Sequence, residues 1–186
     1  GKLLAACEDG SRSPERARDW RTMILLGLCT GARIGDCARM TWEMVEQAGD
    51  YEVLAWQPVK KTDSAGEGKV VRVPLVEPLS GWLRARRSEV GGQDAGPLCP
   101  TLYGVKVGNR AGLSEQFGAI VAAAGVDVAV SEGKGSRGIL FRSKSFHSLR
   151  HTLNSLMFAA DVPQEWRMRV LDHESVAVNE GYTHAD

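Results

Sequence analysis

The chain has 186 residues, 43% apolar and 25% charged, a composition that fits one folded globular domain and excludes a disordered chain. Its 23 basic and 23 acidic residues cancel, so a surface that is cationic throughout is excluded and any polyanion site must come from local concentration of charge. No apolar run approaches the roughly 18 residues of a membrane span, and no basic-then-apolar leader opens the sequence.

In chain order, residues 15 to 30 predict a helix, with Trp20, Ile24, Leu25 and Leu28 at helical spacing and Thr30-Gly31 ending it. A short second helix is expected from Arg33 to Met40. Tyr51 to Val59 and Lys69 to Val73 are β-rich, and the turn-forming run from Thr62 to Gly68 between them predicts a hairpin with a long tip, closed by Pro74. Val76 to Val90 reads as a helix, Gly91 to Pro97 as a loop, and Leu113 to Ala124 as a helix stopped by Gly125. Gly133 to Gly138 is a glycine-rich, basic loop. The last 40 residues read as three helical pieces, broken near Asp161-Val162-Pro163 and near Asp172. The expected class is mainly α with a small antiparallel β-sheet.

The four cysteines, at 7, 29, 37 and 99, have no C-x-x-C spacing, which points to buried reduced thiols and a cytosolic setting. Positive charge concentrates between Ser131 and His151, where Lys134, Arg137, Arg142, Lys144 and Arg150 face Glu132 alone. A solvated loop explains such a stretch. So does a stripe of phosphate contacts.

The helix opening near Phe146 carries the most chemistry. Ser145 is its expected N-cap. Counting about 100° per residue, Leu149, Leu153, Leu156 and Ala160 form a core stripe, and His147, Arg150, His151 and Asn154 project from the other side. Backbone N–H groups at a helix start, an arginine and two histidines suit a phosphate. The two histidines are four apart, as zinc ligands on a helix would be, but Ser148 stands where an H-E-x-x-H motif has its base, and no third ligand is evident. No metal site is expected.

Five segments taken together carry a resemblance. Thr30-Gly31-Ala32-Arg33-Ile34-Gly35-Asp36 with Met40-Thr41-Trp42 resembles the first signature box of the tyrosine recombinases, the phage-integrase type. Phe146-His147-Ser148-Leu149-Arg150-His151-Thr152 resembles the start of the second box, and Leu171-Asp172-His173-Glu174-Ser175 its L-G-H-x-S element. Gly181-Tyr182-Thr183-His184 resembles the element that holds the nucleophile, nine residues after His173. Lys60-Lys61-Thr62, in a hairpin leading to Val73-Pro74-Leu75, resembles the family's lysine-bearing β-turn.

The resemblance implies that family's catalytic-domain fold and site-specific DNA recombination through a covalent 3′-phosphotyrosyl intermediate, with no cofactor. It assigns Arg33, Lys61, His147, Arg150, His173 and Tyr182 to catalysis, with Lys61 preferred to Lys60 because it directly precedes Thr62. Asp36 and His151 take supporting positions. Lys134, Arg137, Arg142 and Lys144 are the expected DNA contacts. The implied partners are a double-stranded recombination site and further copies of the chain, as a tetramer on DNA, with no membrane. The implied setting is bacterial or phage-derived, cytoplasmic and nucleoid-associated. Asp172 stands where the family usually has glycine, and an acidic group beside His173 would raise its pKa or repel phosphate. Only Gly1 to Arg18 precede the pattern, so the expectation is one catalytic domain over 1–186 without the family's N-terminal core-binding domain. Two other readings are a type IB topoisomerase-like enzyme and a DNA-binding relative with impaired catalysis. The L-x-H-x-S and Y-T-H elements so close to the C-terminus favour the recombinase over the first, and the intact catalytic set favours it over the second.

Overall fold

In the computed structural model, residues 1–59, 69–92, 94–108, 110–126, 130–132, 140–142 and 144–171 are described. Helix α2 (Pro14–Thr30) is the centre of the domain. Its start has two local causes: the Ser13 side chain accepts from Arg16 N, and Pro14 occupies the first turn, where a missing N–H costs nothing. Trp20, Met23, Ile24, Leu25 and Leu26 are all buried, so α2 is covered on most sides rather than along one stripe.

The other elements pack onto it. Helix α4 (Leu79–Glu89) docks through Trp82, whose Nε1 donates to Thr22 Oγ1 at 2.9 Å. A buried ion pair, Arg86 to Asp19 at 3.1 Å, joins the same two helices. Asp19 also accepts from Thr101 N at 2.7 Å and Thr101 Oγ1 at 2.8 Å, so its charge is fully engaged. Helix α5 (Leu113–Ala123) brings Phe117 between Trp20 and Phe146. Helix α6 (His147–Ala159) crosses α2 at Gly27, where an added Cβ would lie 2.7 Å from the Phe146 ring and 2.9 Å from Leu149. Helix α7 (Gln164–Leu171) follows α6 and contacts β3.

The main sheet is antiparallel in the order β1 (Val45–Ala48), β2 (Tyr51–Trp56), β3 (Val71–Pro74), with Val45 opposite Leu54 and Leu54 opposite Val73. Strand β3 alternates: Val71 and Val73 face the core, Arg72 and Pro74 face out. Proline is tolerated there because β3 is an edge strand.

The mainly α class with a small antiparallel sheet is as expected, and the differences are local. The sheet has a third strand, β1, whose central residues Glu46 and Gln47 are exposed and give no apolar signal. A second, two-stranded sheet pairs β4 (Val130–Glu132) with β5 (Leu140–Arg142), and the glycine-rich segment between them, expected as a loop, lies outside the described residues. A short N-terminal helix, α1 (Lys2–Cys7), also escaped the periodicity. The helix expected over 33–40 is one turn, α3 (Ile34–Cys37). Ser145 does not cap α6: Phe146 holds the cap position with helical backbone, and Ser145 N donates to Ser148 Oγ at 3.1 Å. The break at Asp161-Val162-Pro163 lies where expected, and the third C-terminal piece falls outside the described residues. Among the described residues no helix is long and apolar enough to cross a membrane. All four cysteines are free thiols, with Cys7, Cys37 and Cys99 buried.

The buried face of α6 is the main correction. Leu149, Arg150 and Asn154 are buried, whereas Leu156 is 56% exposed and Ala160 is exposed. The inward face is therefore turned by roughly 80° from the leucine stripe, toward Arg150 and Asn154. Both polar groups are paired inside: Arg150 with the backbone of Gly31, and Asn154 Oδ1 with Arg167 Nη1 at 3.4 Å. Periodicity treats polar residues as solvent-facing, and partners from another element reverse that here.

Candidate active site

The turn after α2 is the foundation of the site. Thr30 Oγ1 donates to Leu26 O at 2.6 Å and accepts from Ala32 N at 3.2 Å, closing the helix. Gly31 follows in the left-handed region, at φ 67°. Its carbonyl accepts from Arg150 Nη1 at 2.8 Å, a charge-assisted bond inside the protein. The turn that presents Arg33 is thus pinned to the helix that presents His147 and Arg150, across 119 residues of sequence.

An added Cβ at Gly31 would meet Leu171 Cδ2 at 2.6 Å and Leu153 Cδ2 at 3.3 Å. Gly31→Ala therefore combines a left-handed backbone penalty of roughly 1–2 kcal/mol with overlap at both leucines. Thermal denaturation should show a clear loss of stability, and a variant as stable as the parent would contradict this packing.

Arg33 is half-buried at the N-cap of α3, and Asp36 lies within that turn, 8% exposed. Burial pushes the Asp36 carboxyl above its usual range. The Val59 N–H, donated to Oδ1 at 3.2 Å, and the charges of Arg33, Arg39 and Arg150 oppose that rise. Asp36 is thus not a surface ion-pair partner. It ties α3 to the end of the segment after β2, one residue before Lys60. A cleft of about 420 Å³ opens here, lined by Arg33, Ile34, Gly35, Asp36, Arg39, Val59, Val107 and His147. Arg33 and His147, over a hundred positions apart in sequence, share this cleft. Arg150 is buried and does not line the cleft, and its charge is felt at Asp36.

His147 is exposed at the first turn of α6, and its ring meets that of His151 edge-on at 5.1 Å. His151 does not line the cleft. It lines a larger apolar groove of about 730 Å³ between α1, α5 and α6, with Leu3, Phe117, Val121 and Leu156. Lys144 is exposed beside that groove, and Arg142 ends β5. Lys61, Lys134, Arg137, Asp172, His173 and Tyr182 lie outside the described residues. Lys61 follows the cleft residue Val59 by two positions. His173 follows Leu171, which packs at Gly31, by two.

Three cleft residues were not anticipated from sequence: Arg39, Val59 and Val107. Arg39 follows Asp36 by three, a helical spacing that could have flagged it. Val59 and Val107 carry no signal, because an apolar residue in a loop looks the same whether it lines a cleft or not. Among the described residues no group of three or more His, Cys, Asp or Glu could hold a metal ion.

The model of the phage integrase family matches residues 1–186. Among solved structures, the chain is similar to the XerH site-specific recombinase bound to a palindromic difH substrate, at 19% identity and TM-score 0.64, covering 100% of this chain and 47% of that one. A lambda integrase(75-356) dimer bound to a COC′ core site gives 19% identity and TM-score 0.59, over 97% of this chain and 55% of that one. The catalytic domain of bacteriophage HP1 integrase gives 22% identity and TM-score 0.58, over 97% and 80%. The chain thus spans about half the length of the XerH chain. No curated protein matches its sequence.

Proposed function

Because the chain belongs to the phage integrase family, we propose that it is the catalytic domain of a site-specific DNA recombinase that cuts and rejoins strands through Tyr182. The observation that carries this is the shared cleft: Arg33 and His147 line it, and Arg150, on the same helix as His147, is bonded to the Gly31 carbonyl two residues before Arg33.

Chemistry assigns the roles. Tyrosine has a reference pKa of about 10, so near pH 7 only about one in a thousand is phenolate. His147, exposed in the cleft, takes the Tyr182 proton. The phenolate oxygen bonds to phosphorus while the bond to the 5′-oxygen breaks, and Lys61 gives that oxygen a proton. A 3′-phosphotyrosyl link and a 5′-hydroxyl result. Attack by a second 5′-hydroxyl reverses the step, so no external energy is required. Arg33 and Arg150 offer forked donors to the non-bridging oxygens, where the transition state gathers negative charge, and His173 adds a further donor. Asp36 and His151 act indirectly: Asp36 holds α3 to the segment leading to Lys61, and His151 supports the His147 ring. Lys134, Arg137, Arg142 and Lys144 contact DNA backbone away from the reacting phosphate.

The substrate is a double-stranded recombination site, the assembly several copies of the chain on DNA, and the setting the cytoplasm, at the nucleoid. Arginine and histidine supply the charge stabilisation, so cleavage needs no divalent ion. Adduct formation on nicked duplexes should be unchanged in EDTA. Loss in EDTA with recovery on added magnesium would reject the mechanism.

A further inference from the structure

Two arginines line the cleft, Arg33, assigned to the reacting phosphate, and Arg39. Arg39 lines the same cleft from just past the end of α3, its backbone N–H donating to Asp36 O at 3.0 Å. Its side chain is exposed and forms no ion pair among the described residues. Asp36 is buried, spends Oδ1 on the Val59 N–H, and is drawn on by Arg33 as well as Arg39, so it gives Arg39 no ion pair of its own. Val107 seats against Gly35 and forms an apolar part of the wall. A charged fork lining a partly apolar cleft, beside the arginine assigned to the reacting phosphate, suits a second phosphate of the same strand.

We propose that Arg39 binds a DNA phosphate next to the one that is cut, and so sets the register of the strand in the cleft. This rests on the recombinase reading for the identity of the first phosphate. Arg39 is a positioning residue, since it does not touch the reacting atoms.

The test uses binding alone. Affinity for a short duplex of random sequence is measured against salt for the wild type, Arg39→Gln, Arg39→Lys and the exposed control Arg84→Gln on α4. Each phosphate contact contributes about 0.9 to the slope of log affinity against log salt. Arg39→Gln should therefore flatten the slope by about 0.9, which is about eightfold weaker binding at 0.1 M if the lines meet at 1 M. Arg39→Lys should keep the wild-type slope, Arg84→Gln should not change it, and melting temperatures should be equal. A wild-type slope in Arg39→Gln would overturn the proposal, and so would a lowered melting temperature with the slope intact, which would make Arg39 structural. Because no cleavage is read, absence of a covalent adduct with wild-type protein would sink the recombinase reading while leaving the slope result standing. An unchanged slope alongside normal adduct formation would sink only the role of Arg39.

Discussion

Tyr182→Phe should abolish covalent attachment to DNA while leaving fold and affinity almost unchanged. The substitution removes one oxygen, and phenylalanine offers no nucleophile in its place. The loss should be complete rather than partial, because neither of the other two tyrosines lines the cleft. The other tyrosines are poor stand-ins. Tyr51 is exposed on β2 and Tyr103 is exposed in the turn before α5, and neither lines the cleft. Gel shift and circular dichroism should match the parent, and denaturing gels should show no protein–DNA band. A residual adduct at a comparable rate would show that another residue attacks.

Arg150→Ala should have the second largest effect, and it should act twice. Removing the guanidinium takes a donor from the transition state, a loss on the order of 10²–10³ in cleavage rate by comparison with oxyanion-hole donors. It also leaves the Gly31 carbonyl without its 2.8 Å charged donor, worth about 1.5–3 kcal/mol of stability. Arg33→Ala provides the contrast. Arg33 is only half-buried and forms no ion pair among the described residues, so its loss should slow cleavage with a smaller change in melting temperature. Equal destabilisation by the two substitutions would contradict the buried role assigned to Arg150.

Much of this was legible in the sequence because the causes are local. Ser13-Pro14 starts α2 and Gly31 ends it by cap chemistry that a few neighbouring residues determine. Strands β2 and β3 announce themselves by β-branched and aromatic content around a turn-forming run. The misses come from partners distant in the chain. Strand β1 pairs through backbone, so its polar side chains gave no sign of it. Helix α6 is turned because Gly31 O and Arg167 draw Arg150 and Asn154 inward, and neither partner is visible in a helical wheel. Asp36 looked equally suited to a surface pair until Val59 N–H was found on it. In the site, the resemblance implied that Arg33 and His147 act together, and both line one cleft. For Arg39 the spacing of three from Asp36 was the one sign the sequence held, and the cleft beside it gives that sign its meaning.

The central claim is a covalent bond between Tyr182 and DNA, and it can be read at the bond itself. Wild-type protein would be incubated with a randomised pool of nicked duplexes, the adduct isolated under denaturing conditions, and its peptides mapped by mass spectrometry. The account predicts a nucleotide 3′-phosphate attached to Tyr182, in the peptide containing Gly181-Tyr182-Thr183-His184. Attachment at Tyr51, Tyr103 or a non-tyrosine residue, or cleavage that leaves DNA ends without protein attached, would contradict it.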